Sequence, residues 1–219
     1  MKVSRFTVNA FGENTYILWQ APGSDAIIVD PGMMKPQEHE AVDAFIDNNK
    51  LHVTHVLLTH AHLDHAVAAR HEALRYGVKV HASERDEPLA MTLPDQALRF
   101  GYGGRMEVEP LAIDCYLRQD DTLLLGDEPI KVLETPGHSP GGLSFYAPQS
   151  GLVLTGDTIF HGSIGRTDLF GGDFDQLIAS IQTQIFTLPP NTLIAPGHDE
   201  TTTVELEADI NPYVRSSFT

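Results

Sequence analysis

Apolar positions near the N-terminus recur with a strand-like period. Val3, Phe6 and Val8 punctuate an otherwise polar run over residues 2–9, and residues 15–19 and 26–29 are two further short apolar stretches. Turn clusters at Phe11-Gly12-Glu13-Asn14 and Pro22-Gly23-Ser24-Asp25 separate them. Three strands joined by tight turns predict an antiparallel meander. Over residues 37–49 the pattern changes, and Ala41, Val42, Ala44, Phe45 and Ile46 form a helical stripe between charged faces. Residues 52–58 read as a strand, 66–76 as an Ala-rich helix stopped by Gly77, and 78–81 as a short strand. That order predicts a βαβ unit.

Periodicity then fades. Residues 84–119 are interrupted by Pro88, Pro94 and Pro110 and by Gly101-Tyr102-Gly103-Gly104. They are expected to form an irregular excursion over the functional site. Strands return at 122–125, 130–134, 143–146, 152–155 and 192–195, with a glycine-rich loop at 162–172. Residues 173–188 predict a long amphipathic helix, with Asp173 as its N-cap and Pro189-Pro190 as its stop. A short helix is expected at 203–209. The two halves share an outline of meander, ligand-bearing loop and helix.

The chemistry gathers where strands end. Thr59-His60-Ala61-His62-Leu63-Asp64-His65 follows the strand at 52–58. His138, Asp157 and His198 each follow a later apolar run, and each has a glycine just before it. Strands sharing one sheet edge would bring these groups together, and imidazole and carboxylate are ligands for Zn²⁺, Fe and Mn. His60 and His62 suit one ion. Asp64 and His65, where the chain turns into a helix, suit a second, with Asp157 shared between them. A pair of ions about 3.5–4 Å apart can polarise a carbonyl and supply hydroxide near neutral pH. His39, His52, His55, His71 and His81 are read as ordinary core or surface histidines, whereas His161, just after Asp157, is a candidate pocket residue.

Composition narrows the function. The 219 residues suffice for a sizeable core, with 42% hydrophobic and 20% charged residues. Lys plus Arg number 14 against 30 Asp plus Glu, a formal charge of −16. That balance argues against nucleic-acid binding and against docking on anionic lipid. The single cysteine, Cys115, precludes an intrachain disulfide. No apolar run approaches the roughly 18 residues of a membrane span, and the N-terminus lacks an apolar signal core. The cytoplasm is the expected compartment.

His60-Ala61-His62-Leu63-Asp64-His65 with His138, Asp157 and His198 resembles the motif set of the metallo-β-lactamase superfamily across nearly the whole chain. Asp30-Pro31-Gly32, Thr155-Gly156-Asp157-Thr158, residues 162–168 and Pro196-Gly197-His198 resemble glyoxalase II, especially its short bacterial form. The resemblance implies an αββα sandwich of two mixed sheets flanked by helices. It implies one ion on His60, His62, His138 and Asp157 and another on Asp64, His65, Asp157 and His198, most readily Zn, with Fe or Mn as options. The implied activity is hydrolysis of S-lactoylglutathione or a related small thioester by a metal-bridging hydroxide, with Asp64 also orienting the nucleophile. A mononuclear-iron persulfide dioxygenase and a lactonase or small-ester hydrolase are alternatives on the same site. Residues 1–219 are expected to be one domain without the C-terminal glutathione-binding helices of longer glyoxalase II enzymes. Phe160, His161 and Arg166 are candidate substrate contacts, and Asp30 and Asp168 are expected to fix loops.

Overall fold

A computed structural model describes residues 1–215 of the chain. They fall into two compact units. The first comprises Met1–Leu117 with Leu125–Asp127; the second comprises Arg118–Leu124 and the chain from Glu128 onward.

The first unit is built on a six-stranded mixed sheet. Its strands are β1 (Lys2–Val8), β2 (Glu13–Trp19), β3 (Asp25–Val29), β4 (His52–Leu57), β5 (Val80–Ala82) and β6 (Cys115–Tyr116), in that spatial order. The expected meander is present, since β1, β2 and β3 pair antiparallel. From β3 to β6 the pairing is parallel. The crossovers run through α1 (Pro36–Asn48) and then through α2 (Leu63–Ala66) and α3 (Ala69–Tyr76). Val42 and Ile46 of α1 and Ala69 and Ala73 of α3 join Ile17, Ile28 and Val56 in one buried core. Parallel pairing puts the C-terminal ends of β3 and β4 on the same edge, so Asp30 and the His60 loop leave the sheet side by side.

The stretch after β5 is more ordered than its prolines predict. A 3₁₀ turn (Glu84–Asp86) leads into α4 (Glu87–Met91) and α5 (Leu93–Arg99). Pro88 and Pro94 stand in the first turns of these helices. There a proline costs no hydrogen bond and its fixed φ favours helix entry. Both residues start helices.

The second unit carries another six-stranded mixed sheet. Its strands are β7 (Thr122–Leu125), β8 (Glu128–Glu134), β9 (Leu143–Ala147), β10 (Leu152–Gly156), β13 (Leu193–Pro196) and β14 (Thr202–Thr203). A separate hairpin of β11 (Ile159–Phe160) and β12 (Ser163–Ile164) opens the loop expected at 162–172. Strands β8, β9 and β10 alternate in direction, and β10 pairs parallel with β13. Strands β8, β10 and β13 therefore point the same way, and their C-terminal ends deliver His138, Asp157 and His198 to one edge. Helix α6 (Phe174–Ser180) has the expected cap, with Asp173 accepting from Gln176 N at 3.0 Å. The long helix is interrupted, because residues Ile181–Ile185 form a π turn. Leu177, Ile181 and Ile185 pack with Val153 and Ile194. Helices α7 (Val204–Ile210) and α8 (Pro212–Arg215) follow. Among the described residues, no helix is long and apolar enough to cross a membrane.

Candidate metal centre

In the first unit the ligand-bearing loop is organised by a carboxylate behind it. Asp30 is 2% exposed and sits at φ 50°. It accepts from Thr59 N at 2.7 Å, from Thr59 Oγ1 at 2.6 Å and from His65 Nδ1 at 3.0 Å. Thr59 Oγ1 has one proton, and the carboxylate takes it. His60 Nδ1, 3.0 Å from Thr59 Oγ1, must then be the donor in its own contact. Both histidines are thereby held with Nδ1 protonated and Nε2 presented as a lone pair, the form a cation requires. The His60 ring lies 4.1 Å from that of His65 and 4.8 Å from that of His62, centroid to centroid. Asp64 Oδ2 is 3.9 Å from His65 Nε2.

The backbone of this loop is clamped between its candidate ligands. Ala61 N donates to Asp86 Oδ2 at 3.0 Å. Leu63 N donates to Gln96 Oε1 at 2.9 Å, and Gln96 Nε2 donates back to Ala61 O at 3.3 Å. Asp86 and Gln96 are both buried. Asn9 Nδ2 reaches both Gly32 O and Asp64 O. A side chain at Gly32 would collide with Asp64 O, which is why Asp30-Pro31-Gly32 ends in glycine. Behind the loop, burial pushes the Glu13 carboxyl well above the usual carboxylate range, with His65 pulling the other way.

In the second unit one carboxylate oxygen faces two imidazoles. Asp157 Oδ2 is 3.4 Å from His138 Nε2 and 3.7 Å from His198 Nε2. His138 donates from Nδ1 to Arg166 O at 2.7 Å, which leaves Nε2 as an acceptor. Its loop is held by α6, through Asp173 N to Gly137 O and Ser180 Oγ to Pro136 O. Gly197 N donates to Gly156 O at 2.8 Å, which keeps the Asp157 and His198 loops together. Gly165 passes so close to the Asp157 carbonyl that no Cβ fits there.

These groups suit a divalent cation. An imidazole lone pair and a carboxylate oxygen repel one another across 3.4 Å unless something positive lies between them. Tetrahedral coordination at 2.0–2.2 Å puts neighbouring ligand atoms about 3.3–3.6 Å apart, close to the 3.4 and 3.7 Å found around Asp157 Oδ2. The donor set is nitrogen and oxygen without thiolate, as Zn, Fe and Mn accept.

The candidate substrate residues lie on the loop after Asp157. Phe160 is half-buried, with its ring edge-on to His198 at 6.0 Å. His161 Nδ1 is 3.2 Å from Glu207 Oε1. Arg166 is exposed and makes a two-pronged pair with Asp168 at 2.7 and 2.8 Å, and that hydrogen-bonded pair lowers the Asp168 pKa to about 2. Asp168 thus fixes the loop whose backbone holds His138. Sequence reading misses Asn9, Asp86, Gln96 and Glu207. Glu207 is fully buried and binds Thr202 Oγ1, Gly162 N and Asn211 Nδ2. Their spacing carries no ligand-like signature; each acts on a backbone or a loop distant in sequence.

Two mixed sheets whose strand ends deliver histidines and aspartates define a metal-binding α/β protein. The sequence profile of the metallo-beta-lactamase superfamily matches residues 8–198, and the chain belongs to that superfamily. It is 35% identical over 218 residues to the hydroxyacylglutathione hydrolase GloC of Haemophilus influenzae, covering 99% of both chains. Among solved structures it is similar to the B3 metallo-beta-lactamase BLEG-1, with TM-score 0.86, 32% identity and coverage of 97% of this chain and 99% of the other. TTHA1623 in a di-iron-bound form matches with TM-score 0.83 and 34% identity, covering 96% and 99%. ETHE1 from Myxococcus xanthus matches with TM-score 0.80 and 25% identity, covering 99% and 85%. The metallo-β-lactamase fold expected from the sequence is the fold of the chain.

Proposed function

We propose that the protein is a dinuclear metal-dependent thioesterase of the glyoxalase II type, acting on S-lactoylglutathione or a related small acyl thioester. On this reading His60, His62, His138 and Asp157 serve one ion, and Asp64, His65, Asp157 and His198 the other. The observation that carries it is Asp157 Oδ2 facing both His138 and His198. Those two histidines belong to different ions in the family pattern, and this arrangement supports reading Asp157 as the carboxylate that would be shared between them. Similarity to GloC supports the thioester as substrate.

When bound, two divalent ions supply an activated water near neutral pH and polarise the thioester carbonyl. The chain's own groups position the rest. Asp30 holds His60, through Thr59, and His65 in their ligating tautomers. On this reading Asp64, 17% exposed and 3.9 Å from His65 Nε2, would orient the attacking water and carry its proton. Phe160 walls the loop beside His198. Hydrolysis yields a carboxylate and a free thiol.

The test is elemental analysis of the purified protein together with a substrate panel of S-lactoylglutathione, a lactone, a β-lactam and glutathione persulfide. Two metals per chain and preferred cleavage of the thioester, abolished in His62→Ala, are expected. Full metal loading without thioesterase activity would refute the reading. One iron with oxygen consumption on the persulfide would favour the dioxygenase alternative, which the stretch Gly165-Arg166-Thr167-Asp168 supports.

A further inference from the structure

A second cluster of ligand-type side chains lies in the first unit, on helices rather than on the loops at strand ends. His39 projects from α1, and His71 and Glu72 from α3. One ligand atom from each lies within 4.8 Å of the others. His39 Nδ1 is 3.2 Å from Glu72 Oε1, and His71 Nε2 is 4.0 Å from the same oxygen. The two imidazole rings meet edge to face at 4.8 Å.

Glu72 makes this more than a chance pairing. Its side chain is 0% exposed, and its Oε2 has no hydrogen-bond partner. A buried carboxylate with one bare oxygen is costly unless positive charge lies close to it. Among the described residues, the compensation comes from His39 and, at longer range, His71, both on Oε1. The Glu72 hydrogen bond accordingly raises the His39 pKa, a sign that the position favours positive charge. His71 is 59% exposed and lines a surface groove with Val67, Arg70 and Leu74, so the cluster can be reached from solvent.

We propose that His39, His71 and Glu72 form a further divalent-cation site that clamps α1 to α3, separate from the centre at the strand ends. Two imidazoles and a carboxylate select borderline ions such as Zn²⁺ or Co²⁺ over Mg²⁺ or Ca²⁺. Three protein ligands leave a position for water. Binding replaces the His39–Glu72 ion pair, satisfies both carboxylate oxygens and recruits His71. On this proposal His39 and His71, read from the sequence as ordinary core or surface histidines, take on a ligand role. The ion's work is structural: α3 follows directly on α2, which carries Asp64 and His65.

The experiment compares Zn²⁺ stoichiometry of the full chain with that of His39→Gln/His71→Gln, after equilibration with Zn²⁺ and desalting. Because it reads a difference, it is independent of how many ions the strand-end centre holds. Wild type should retain one equivalent more than the double variant, and Zn²⁺ should raise its melting temperature further. His71→Ala alone, a change at an exposed residue, guards against a folding defect and should weaken the extra equivalent at least tenfold. With Co²⁺ as probe, the visible absorption contributed by this equivalent should vanish in Glu72→Gln. Equal stoichiometry in wild type and both histidine variants would overturn the proposal and leave a plain His39–Glu72 ion pair.

Discussion

Asp30→Asn is the most informative single change. The substitution keeps shape and removes one acceptor oxygen. With its Oδ1 on Thr59 N, the new amide nitrogen faces Thr59 Oγ1 and His65 Nδ1, which Asp30 Oδ2 now engages at 2.6 and 3.0 Å. Thr59 must turn its proton toward His60 Nδ1, and His65 Nδ1 must become an acceptor. Both imidazoles then carry their proton on Nε2 and cease to be ligands. The flipped amide instead sets two donors against each other at Thr59 N. Two charge-assisted bonds at about 1.5–3 kcal/mol each put the stability loss near 3–6 kcal/mol. Loss of such a partner behind a ligand costs about 10–100-fold in metal affinity. Because His60 and His65 serve different ions in the proposed centre, both affinities should fall. Urea unfolding of the metal-free protein reads the first effect, and chelator competition reads the second. A variant that loses under about 1 kcal/mol and binds both metals within twofold of wild type would refute the tautomer argument.

Three further outcomes are expected. Glu207→Ala strands the Gly162 N–H and the side chains of Thr202 and Asn211, so it should cost about 3–5 kcal/mol by thermal or urea unfolding; a loss below about 1 kcal/mol would show the network to be redundant. Gly165→Ala drives a methyl group into the Asp157 carbonyl beside His138, and should lower metal affinity at least about tenfold while the chain still folds, as circular dichroism would record. Burial holds the His55 and His81 imidazoles below their ordinary value. The unfolded chain then takes up their protons first, so stability is full above a pH of about 6.5 and falls as pH drops through it. Replacing both with Phe should flatten the urea midpoint between pH 7.5 and 5, and an unchanged slope would contradict this.

The candidate ligand set could be read because its chemistry is local: imidazoles and carboxylates at close spacing, each just past an apolar run. The meander, the βαβ crossovers and the later strands were equally open to reading, since each has a short clear period. What escaped was the support. Pro88 and Pro94 look like breakers to any count of prolines, yet they stand where a helix lacks its hydrogen bonds anyway. Gln96 reaches Ala61 and Leu63 across more than thirty positions, and no periodicity marks such a contact. The π turn at Ile181–Ile185 keeps the apolar stripe of a helix, so the sequence reads straight through it.

The grip of Asp86 and Gln96 on Ala61 and Leu63 constrains how this chain can be re-engineered. The segment following β5 is a natural place to graft new specificity, since it carries none of the strand-end histidines and aspartates of the candidate centre. Yet two of its residues hold the peptide groups that alternate with His60, His62 and Asp64. A transplanted loop that omits them would arrive with its new contacts and a loosened metal loop. Libraries that fix Asp86 and Gln96 and randomise residues 100–110 should retain activity far more often than whole-segment swaps.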